Sequence, residues 1–310
     1  MMRSTLLWLS KRQSIFNFVR SNGLAKKFAS RFVAGETIET GVTAALELKE
    51  KGITVSLDLL GESVHQASEA EAARDAYVAI LRAMGGAGLE ANASLKPTAL
   101  GLDIDEELCE RNTRTVLEVA RESGAFVRLD MEGSAYTQRT LDFFATRIFP
   151  DFGSHTGLVI QSALRRSTDD VDMLIRLGAR VRLCKGAYLE PASVAYPDKK
   201  DVDAHYVRLM EKLLTEGNYP AIATHDEAIM ARAKAFVAEQ GLARDRFEFQ
   251  MLYGIRRDVQ EALVREGYRL RVYTPFGNQW YPYLMRRLAE RPANIVFILG
   301  NVLKEITRKS

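Results

Sequence analysis

Residues 269–290, from Arg269-Leu-Arg-Val-Tyr273-Thr-Pro-Phe-Gly277 through Tyr283-Leu-Met-Arg286-Arg287-Leu-Ala-Glu290, gather side chains suited to gripping a small anion. The run reads as a short β-strand that breaks at Thr274-Pro275-Phe-Gly277 into a helix. Helical spacing then sets Tyr283, Arg286 and Arg287 at i, i+3 and i+4 on one face. Two adjacent guanidinium forks beside tyrosines suit a planar carboxylate carried on an apolar body. Alone, the same face reads more simply as solvated, with Glu290 pairing back to Arg286 or Arg287 for about 0.3–0.5 kcal/mol. The elements that precede it change that balance.

From residue 53 onward, short apolar runs alternate with longer helical stretches. The predicted strands are Ile53–Leu60, Ala91–Pro97, Phe126–Met131, Gly157–Gln161, Val181–Lys185, Ala221–Thr224, Phe247–Leu252 and Leu270–Thr274. They are mostly continuous and apolar, as parallel strands covered on both faces are. Predicted helices span 68–84, 103–123, 134–148, 168–178, 199–216, 227–240 and 256–267. Asp103 and Ser167-Thr-Asp-Asp supply start signals, and Gly124, Gly178, Gly217 and Gly267 supply stops. Eight βα units in about 240 residues fit a (β/α)8 barrel better than an open doubly wound sheet. No Gly-x-Gly-x-x-Gly follows the first strand, which disfavours a Rossmann unit. The expected class is therefore α/β: a TIM-like barrel over 53–310, an N-terminal helical arm over 1–52 that ends in an amphipathic helix at 37–52, and a final helix over the barrel mouth.

The active site of such a barrel lies at the C-terminal ends of its strands, so polar residues there need explaining. Strand 1 ends in Asp58-Leu-Leu-Gly61-Glu62, strand 2 gives Lys96, strand 3 gives Asp130 and Glu132, and strand 4 ends at Gln161. Strand 5 gives Arg182, Lys185 and Gly186-Ala187-Tyr188, strand 6 ends in Thr224-His225-Asp226, strand 7 carries Gln250 and Leu252, and strand 8 carries Tyr273. Each has a structural alternative: Asp58 or Asp226 as helix caps, Lys96 paired with Asp130, His225 as a core histidine. Packing alone does not ask for charged or amide groups at one level of all eight strands. The cations Lys96, Arg182, Lys185, Arg286 and Arg287 outnumber Asp58, Glu62, Asp130 and Glu132, which implies an anionic ligand.

Bulk composition sets outer limits. A chain of 310 residues, 47% hydrophobic and 27% charged, is an ordinary globular protein. Cys109 and Cys184 are too few for a disulfide framework, which fits a reducing compartment, and His65, His155, His205 and His225 have no metal-ligand spacing. The net charge of +3 conceals an asymmetry: residues 1–35 hold seven of the 43 basic residues and no acid, leaving 36 against 40 in the remainder. Within that arm Leu6-Leu-Trp8-Leu9 and Ile15-Phe16-Phe18-Val19 alternate with the cations. Three readings stay open: an amphipathic membrane-surface helix, a mitochondrial presequence, or a segment packed on the body. No apolar run is long enough to span a bilayer, and nothing suggests nucleic-acid binding.

With these residues placed, the chain resembles the flavin-dependent proline dehydrogenase family in its monofunctional bacterial form, over roughly residues 50–300. The elements are Leu57-Asp-Leu-Leu-Gly-Glu62, Ser94-Leu-Lys96-Pro, Leu129-Asp130-Met-Glu132, Val159-Ile-Gln161, Arg182-Leu-Cys-Lys185-Gly-Ala-Tyr188, Ala223-Thr-His225-Asp, Phe249-Gln250-Met-Leu252, Arg271-Val-Tyr273-Thr-Pro and the Tyr283 to Glu290 run. The resemblance implies FAD at the carboxyl ends of the strands, with L-proline between the flavin ring and the last helix. Arg286, Arg287 and Lys96 would hold the substrate carboxylate, and Tyr273, Tyr283 and Leu252 would wall its ring. Asp130 would steady the Lys96 region, and Glu62 would close the site as a gate partner of the first arginine. Arg182 would stabilise the anionic reduced flavin. Gln161, Lys185, Gly186, Ala187, Tyr188, Thr224, His225 and Gln250 would hold the rest of the cofactor. Leu189, where bifunctional relatives often carry an aromatic, and Gly133-Ser134, where an acid is common, depart from the pattern.

The implied reaction is oxidation of L-proline to 1-pyrroline-5-carboxylate, with hydride passing from ring C5 to the flavin and a membrane quinone reoxidising it. A pyrroline-5-carboxylate dehydrogenase is a candidate recipient of the product. The expected location is cytoplasmic with peripheral contact at the inner membrane face, or the mitochondrial matrix if the arm is a presequence. A Schiff-base aldolase using Lys185 or Lys96 is the rival enzyme class. A non-catalytic membrane-surface scaffold is the third reading.

Overall fold

The computed structural model describes residues 29–61 and 64–290, and side chains up to residue 285 within those spans. Eight parallel strands close in sequence order into a barrel: β1 Thr54–Leu59, β2 Asn92–Leu95, β3 Phe126–Leu129, β4 Thr156–Gln161, β5 Arg180–Cys184, β6 Ala221–Ala223, β7 Glu248–Leu252 and β8 Leu270–Phe276. Each falls within two residues of its predicted bounds. β1 seals the seam against β8, in register from Thr54↔Arg271 to Leu59↔Phe276.

The helices are α1 Ile38–Lys49, α2 Ala67–Gly86, α3 Glu106–Ser123, α4 Ser134–Phe143, α5 Phe149–Phe152, α6 Ser167–Leu177, α7 Lys199–Glu216, α8 Glu227–Glu239, α9 Arg257–Arg265 and α10 Trp280–Glu290. The expected single helix over 134–148 is interrupted by a π turn, Phe144–Ile148, before α5. Pro150 follows at the start of α5. Its ring clashes with the carbonyl four residues back and it lacks an N–H, so the ladder widens there rather than continuing. α3 starts at Asp105, whose side chain accepts the Glu107 and Leu108 N–H groups, and not at Asp103, which instead accepts the Tyr136 hydroxyl at 2.7 Å. Ser167 does not cap α6, because its hydroxyl donates to the Gln161 carbonyl at 2.6 Å. Gly124 and Gly178 end their helices left-handed, whereas Gly217 leaves α7 in extended conformation.

α1 packs against β1 and β8, so close that a Cβ on Gly41 would lie 3.2 Å from the Phe276 ring. That is where the helix following the eighth strand of a regular βα repeat would sit. The helix that does follow β8, α10, instead buries Trp280, Tyr281, Tyr283, Leu284 and Met285 against Ala29, Val33 and Leu60, in a cluster separate from the main core. Residues 29–36 act as a strap to it. Ala34 N–H donates to the Pro275 carbonyl, Gly277 N–H donates to Gly35, and the Trp280 indole donates to Glu36 at 3.1 Å. The Arg31 carbonyl passes so near Gly254 that a Cβ there would lie 1.7 Å from it.

The barrel interior departs from the expected apolar strands. Val127 and Leu129 of β3, Phe249 and Met251 of β7, and Leu270 and Val272 of β8 join the main core. The residues alternating with them, Arg128, Glu248, Gln250, Arg271 and Tyr273, are polar, and all but Tyr273, which is half-buried, are fully buried. A strand's faces alternate with period two, so each of these strands sends an apolar row to the helices and a polar row inward.

Candidate active site

Arg182 of β5 is the centre of the inward polar layer, at 5% exposure. Its Nε donates to Gln250 Oε1 at 2.5 Å, Nη1 to Asp130 Oδ1 at 2.8 Å and Nη2 to Ser94 Oγ at 2.9 Å, so three other strands fix one guanidinium plane. Asp130 takes a second donor on its other oxygen, the Tyr273 hydroxyl at 2.8 Å, and the Arg182 guanidinium lies 5.2 Å from the centre of the Tyr273 ring. Burial, reinforced by Asp130, pushes the Tyr273 phenol well above its ordinary pKa, so it stays a protonated donor.

Lys96, immediately after β2, reaches across to β1 and donates to Asp58 Oδ1 at 3.1 Å. Burial pushes the Asp58 carboxyl up, with Lys96 acting against it. The sequence alternative of a Lys96–Asp130 pair is thus replaced: Lys96 pairs with Asp58, while Asp130, expected to steady the Lys96 region, is bonded to Arg182 and Tyr273. Register explains this. Asp58 is opposite Ser94, so Lys96, on the same face two residues further on, emerges beside it.

A second group of predicted residues surrounds the exits of β4 to β7. Gln161 donates its amide to the Glu132 carbonyl at 2.8 Å, and the chain turns past it at Gly186, where φ is +106° and a Cβ would lie 2.9 Å from Gln161 Oε1. Lys185 is gripped by Asp203 at 2.6 Å and Asp226 at 2.8 Å, and this holds the Asp226 carboxyl down at about 2. Asp226 also caps α8 through the Ala228 N–H, and its own N–H donates to Thr224 Oγ1 at 3.0 Å. The His225 Nε2 accepts the Leu252 N–H at 2.9 Å, tying the exit of β6 to that of β7. Ala187 and Tyr188 lie on the loop after β5, where Tyr188 and Leu189 are exposed.

Tyr283 is buried in the α10 cluster, whereas Leu252 and Tyr273 are half-buried. Arg286 and Arg287 lie on α10, which keeps their i+3 and i+4 spacing from position 283, but their side chains fall outside the described residues, as do Glu62 and the arm over 1–28.

The donor set fits a flavin. The Gln161 amide matches the polar edge of the ring system, the Arg182 guanidinium matches its negative charge on reduction, and Lys185 matches a pyrophosphate. Sequence reasoning missed Glu248 and Arg271, which carry a buried ion pair at 3.0 Å, and gave Ser94 no role. The available signal was charge at alternate positions within β7 and β8, between apolar neighbours.

No described helix is long and apolar enough to cross a membrane. The sequence profile of the family described as Proline dehydrogenase matches residues 42–298. The chain is 42% identical over 305 residues to the proline dehydrogenase of Deinococcus radiodurans, covering 97% of this chain and 98% of that one. It is 40% identical over 305 residues to proline dehydrogenase 1 of Bacillus subtilis, covering 98% and 100%. It superposes with a TM-score of 0.79, at 27% identity, on the crystal structure of proline utilization A from Bdellovibrio bacteriovorus inactivated by N-propargylglycine, over 85% of this chain and 32% of that one.

Proposed function

The chain belongs to the proline dehydrogenase family, oxidoreductases acting on CH–NH bonds, and from that premise we propose that it oxidises L-proline to 1-pyrroline-5-carboxylate with FAD bound at the carboxyl ends of the strands. The observation that supports this most directly is the buried Arg182 hub, a fixed cation held by Asp130, Gln250 and Ser94 in the polar interior just below the strand exits. When bound, FAD would supply the two-electron acceptor, with a membrane quinone as the final oxidant.

The protein's own part is positioning and electrostatics. Arg286, Arg287 and Lys96 grip the proline carboxylate, and Tyr273, Tyr283 and Leu252 wall its ring, which orients C5. The many cations disfavour a protonated ring nitrogen, so proline reacts as the free amine. The C5–H pair leaves as hydride while the nitrogen lone pair forms the C=N bond, and the N–H proton is then lost. Arg182 stabilises negative charge developing at the face it borders. Glu62 gates the site, the product passes to a pyrroline-5-carboxylate dehydrogenase, and contact with the inner membrane face brings the quinone within reach.

The aldolase alternative loses support from geometry, because Lys185 and Lys96 lie 2.6 and 2.8 Å and 3.1 Å from carboxylates, which favour the ammonium form, whereas a Schiff-base lysine must lose its proton. The test is an absorption spectrum of the purified protein before and after anaerobic L-proline. A flavin band that bleaches is expected, and a colourless protein, or a band indifferent to proline, would overturn the proposal.

A further inference from the structure

Glu248 opens β7 with its side chain directed into the barrel at 3% exposure. It is a buried charge for which the mechanism above has no use. Arg271 Nε binds both of its oxygens, at 3.0 and 3.1 Å, and the Gln250 amide nitrogen donates to Oε1. Tyr219 adds a longer contact at 3.4 Å from its hydroxyl. Burial pushes this carboxyl up, but Arg271 and the Gln250 amide outweigh it and hold it below its ordinary pKa.

An ionised carboxylate only accepts hydrogen bonds, so the Gln250 group that meets it must be the NH2. The two ends of an amide are fixed together. With the NH2 committed downward to Glu248, the carbonyl oxygen must point up, where it accepts the Arg182 Nε at 2.5 Å. Turned over, the amide would set NH2 against N–H and displace the guanidinium. We propose that Glu248 is a positioning residue for Arg182: it polarises and orients the Gln250 amide, and through that amide sets where the Arg182 charge sits beneath the reactive face.

This inference rests on the flavin reading given above, and its test separates the two. The midpoint potential of the bound flavin is measured by dye equilibration in the wild-type holoenzyme and in Glu248→Asp, Gln250→Met and the double variant. Glu248→Asp keeps a carboxylate for Arg271 but withdraws it by one methylene from the amide, and Gln250→Met leaves the Glu248–Arg271 pair untouched. Each single variant should lower the two-electron reduction equilibrium about tenfold, equivalent to roughly 30 mV. The double variant should show no further fall, because both substitutions act through one amide. Stability behaves differently, since any loss of the Arg271 pairing adds to the Gln250 effect, and a merely structural Glu248 would move melting temperature without moving potential. Wild-type potential in Glu248→Asp, or additive shifts in the double variant, would overturn the proposal while the flavin reading stands. A wild-type protein without flavin would overturn both.

Discussion

Asp130→Asn isolates the charge of the Asp130–Arg182 pair from its hydrogen bonds. Asparagine keeps a carbonyl oxygen for Arg182 Nη1, now at 2.8 Å from Asp130, and turns its NH2 toward Tyr273, whose hydroxyl can rotate from donor to acceptor. What disappears is the negative charge beside a guanidinium that is 5% exposed. Two unit charges about 4 Å apart interact by about 4 kcal/mol at an effective dielectric constant near 20. Removing one partner of a buried pair costs about 3–5 kcal/mol, because the other charge stays in the interior. Asp130→Ala loses in addition two hydrogen bonds to an ionised acceptor, worth about 1.5–3 kcal/mol each. Against a total stability of about 5–15 kcal/mol, Asp130→Asn should fold and Asp130→Ala should sit at the edge of folding. Equilibrium urea unfolding at saturating FAD, followed by tryptophan fluorescence, reads both, and the asparagine variant should also melt on the order of 10 °C lower. An Asp130→Asn protein within about 1 kcal/mol of wild type would refute the reasoning, since the Arg182 charge would then be neutralised elsewhere.

Arg286→Met and Arg287→Met should each raise the KM for proline by orders of magnitude while the protein keeps its flavin, and flavin loss with unchanged KM would reassign both residues. Gly254→Ala places a Cβ 1.7 Å from the Arg31 carbonyl at a φ of +73°, so it should cost about 1–2 kcal/mol in strain and expel the 29–36 strap. Faster proteolysis within residues 29–36, with a raised proline KM, is the expected reading. Lys185→Met leaves Asp226 with the longer Lys199 contact at 3.5 Å, so its carboxyl should rise from about 2 part of the way toward 3.8. A carboxyl with a depressed pKa stabilises the fold fully above the unfolded value and loses that contribution as pH falls through the folded one. The variant should therefore be less stable at neutral pH and lose less stability than wild type between about pH 4 and pH 2, as acid titration of unfolding will show. His205 is buried, bonded to the Ser162 carbonyl at 2.8 Å and Thr168 at 2.9 Å, and held below its ordinary pKa chiefly by burial. Its contribution should be full above pH 6.5 and decline on acidification, a slope that His205→Gln should flatten.

The barrel was legible because each strand is a short β-rich run set between helices, several of which close on glycines such as Gly124, Gly178 and Gly267. Local pattern was less able to choose between neighbouring signals. Asp103 reads as the start of the third helix, yet Asp105 caps it, and only the position of Tyr136 shows why Asp103 is otherwise engaged. At the site, Arg182, Asp130, Gln250 and Tyr273 stood out as polar groups near strand exits, but their pairing was not readable. Whether Lys96 meets Asp58 or Asp130 depends on inter-strand register, which no single strand contains. Glu248 and Arg271 were passed over because they lie at strand entrances, away from the end where barrel chemistry takes place. Their importance appears only when the inward row of β7 is followed from Glu248 to Gln250 and on to Arg182.

The placement of α1 against β1 and β8 has a consequence for the order of events during synthesis. α1 emerges from the ribosome well ahead of the strand that completes its seat, which lies roughly 220 residues further on. At about 5–20 residues per second the helix waits on the order of ten to fifty seconds for β8. Until then β1 presents a free edge and α1 a face with half of its partner missing, so the nascent chain carries an open sheet until β8 has been made. Barrel closure is thus the last step and joins the most distant pieces of sequence, which makes the seam between β8 and β1 the place where folding is slowest to commit.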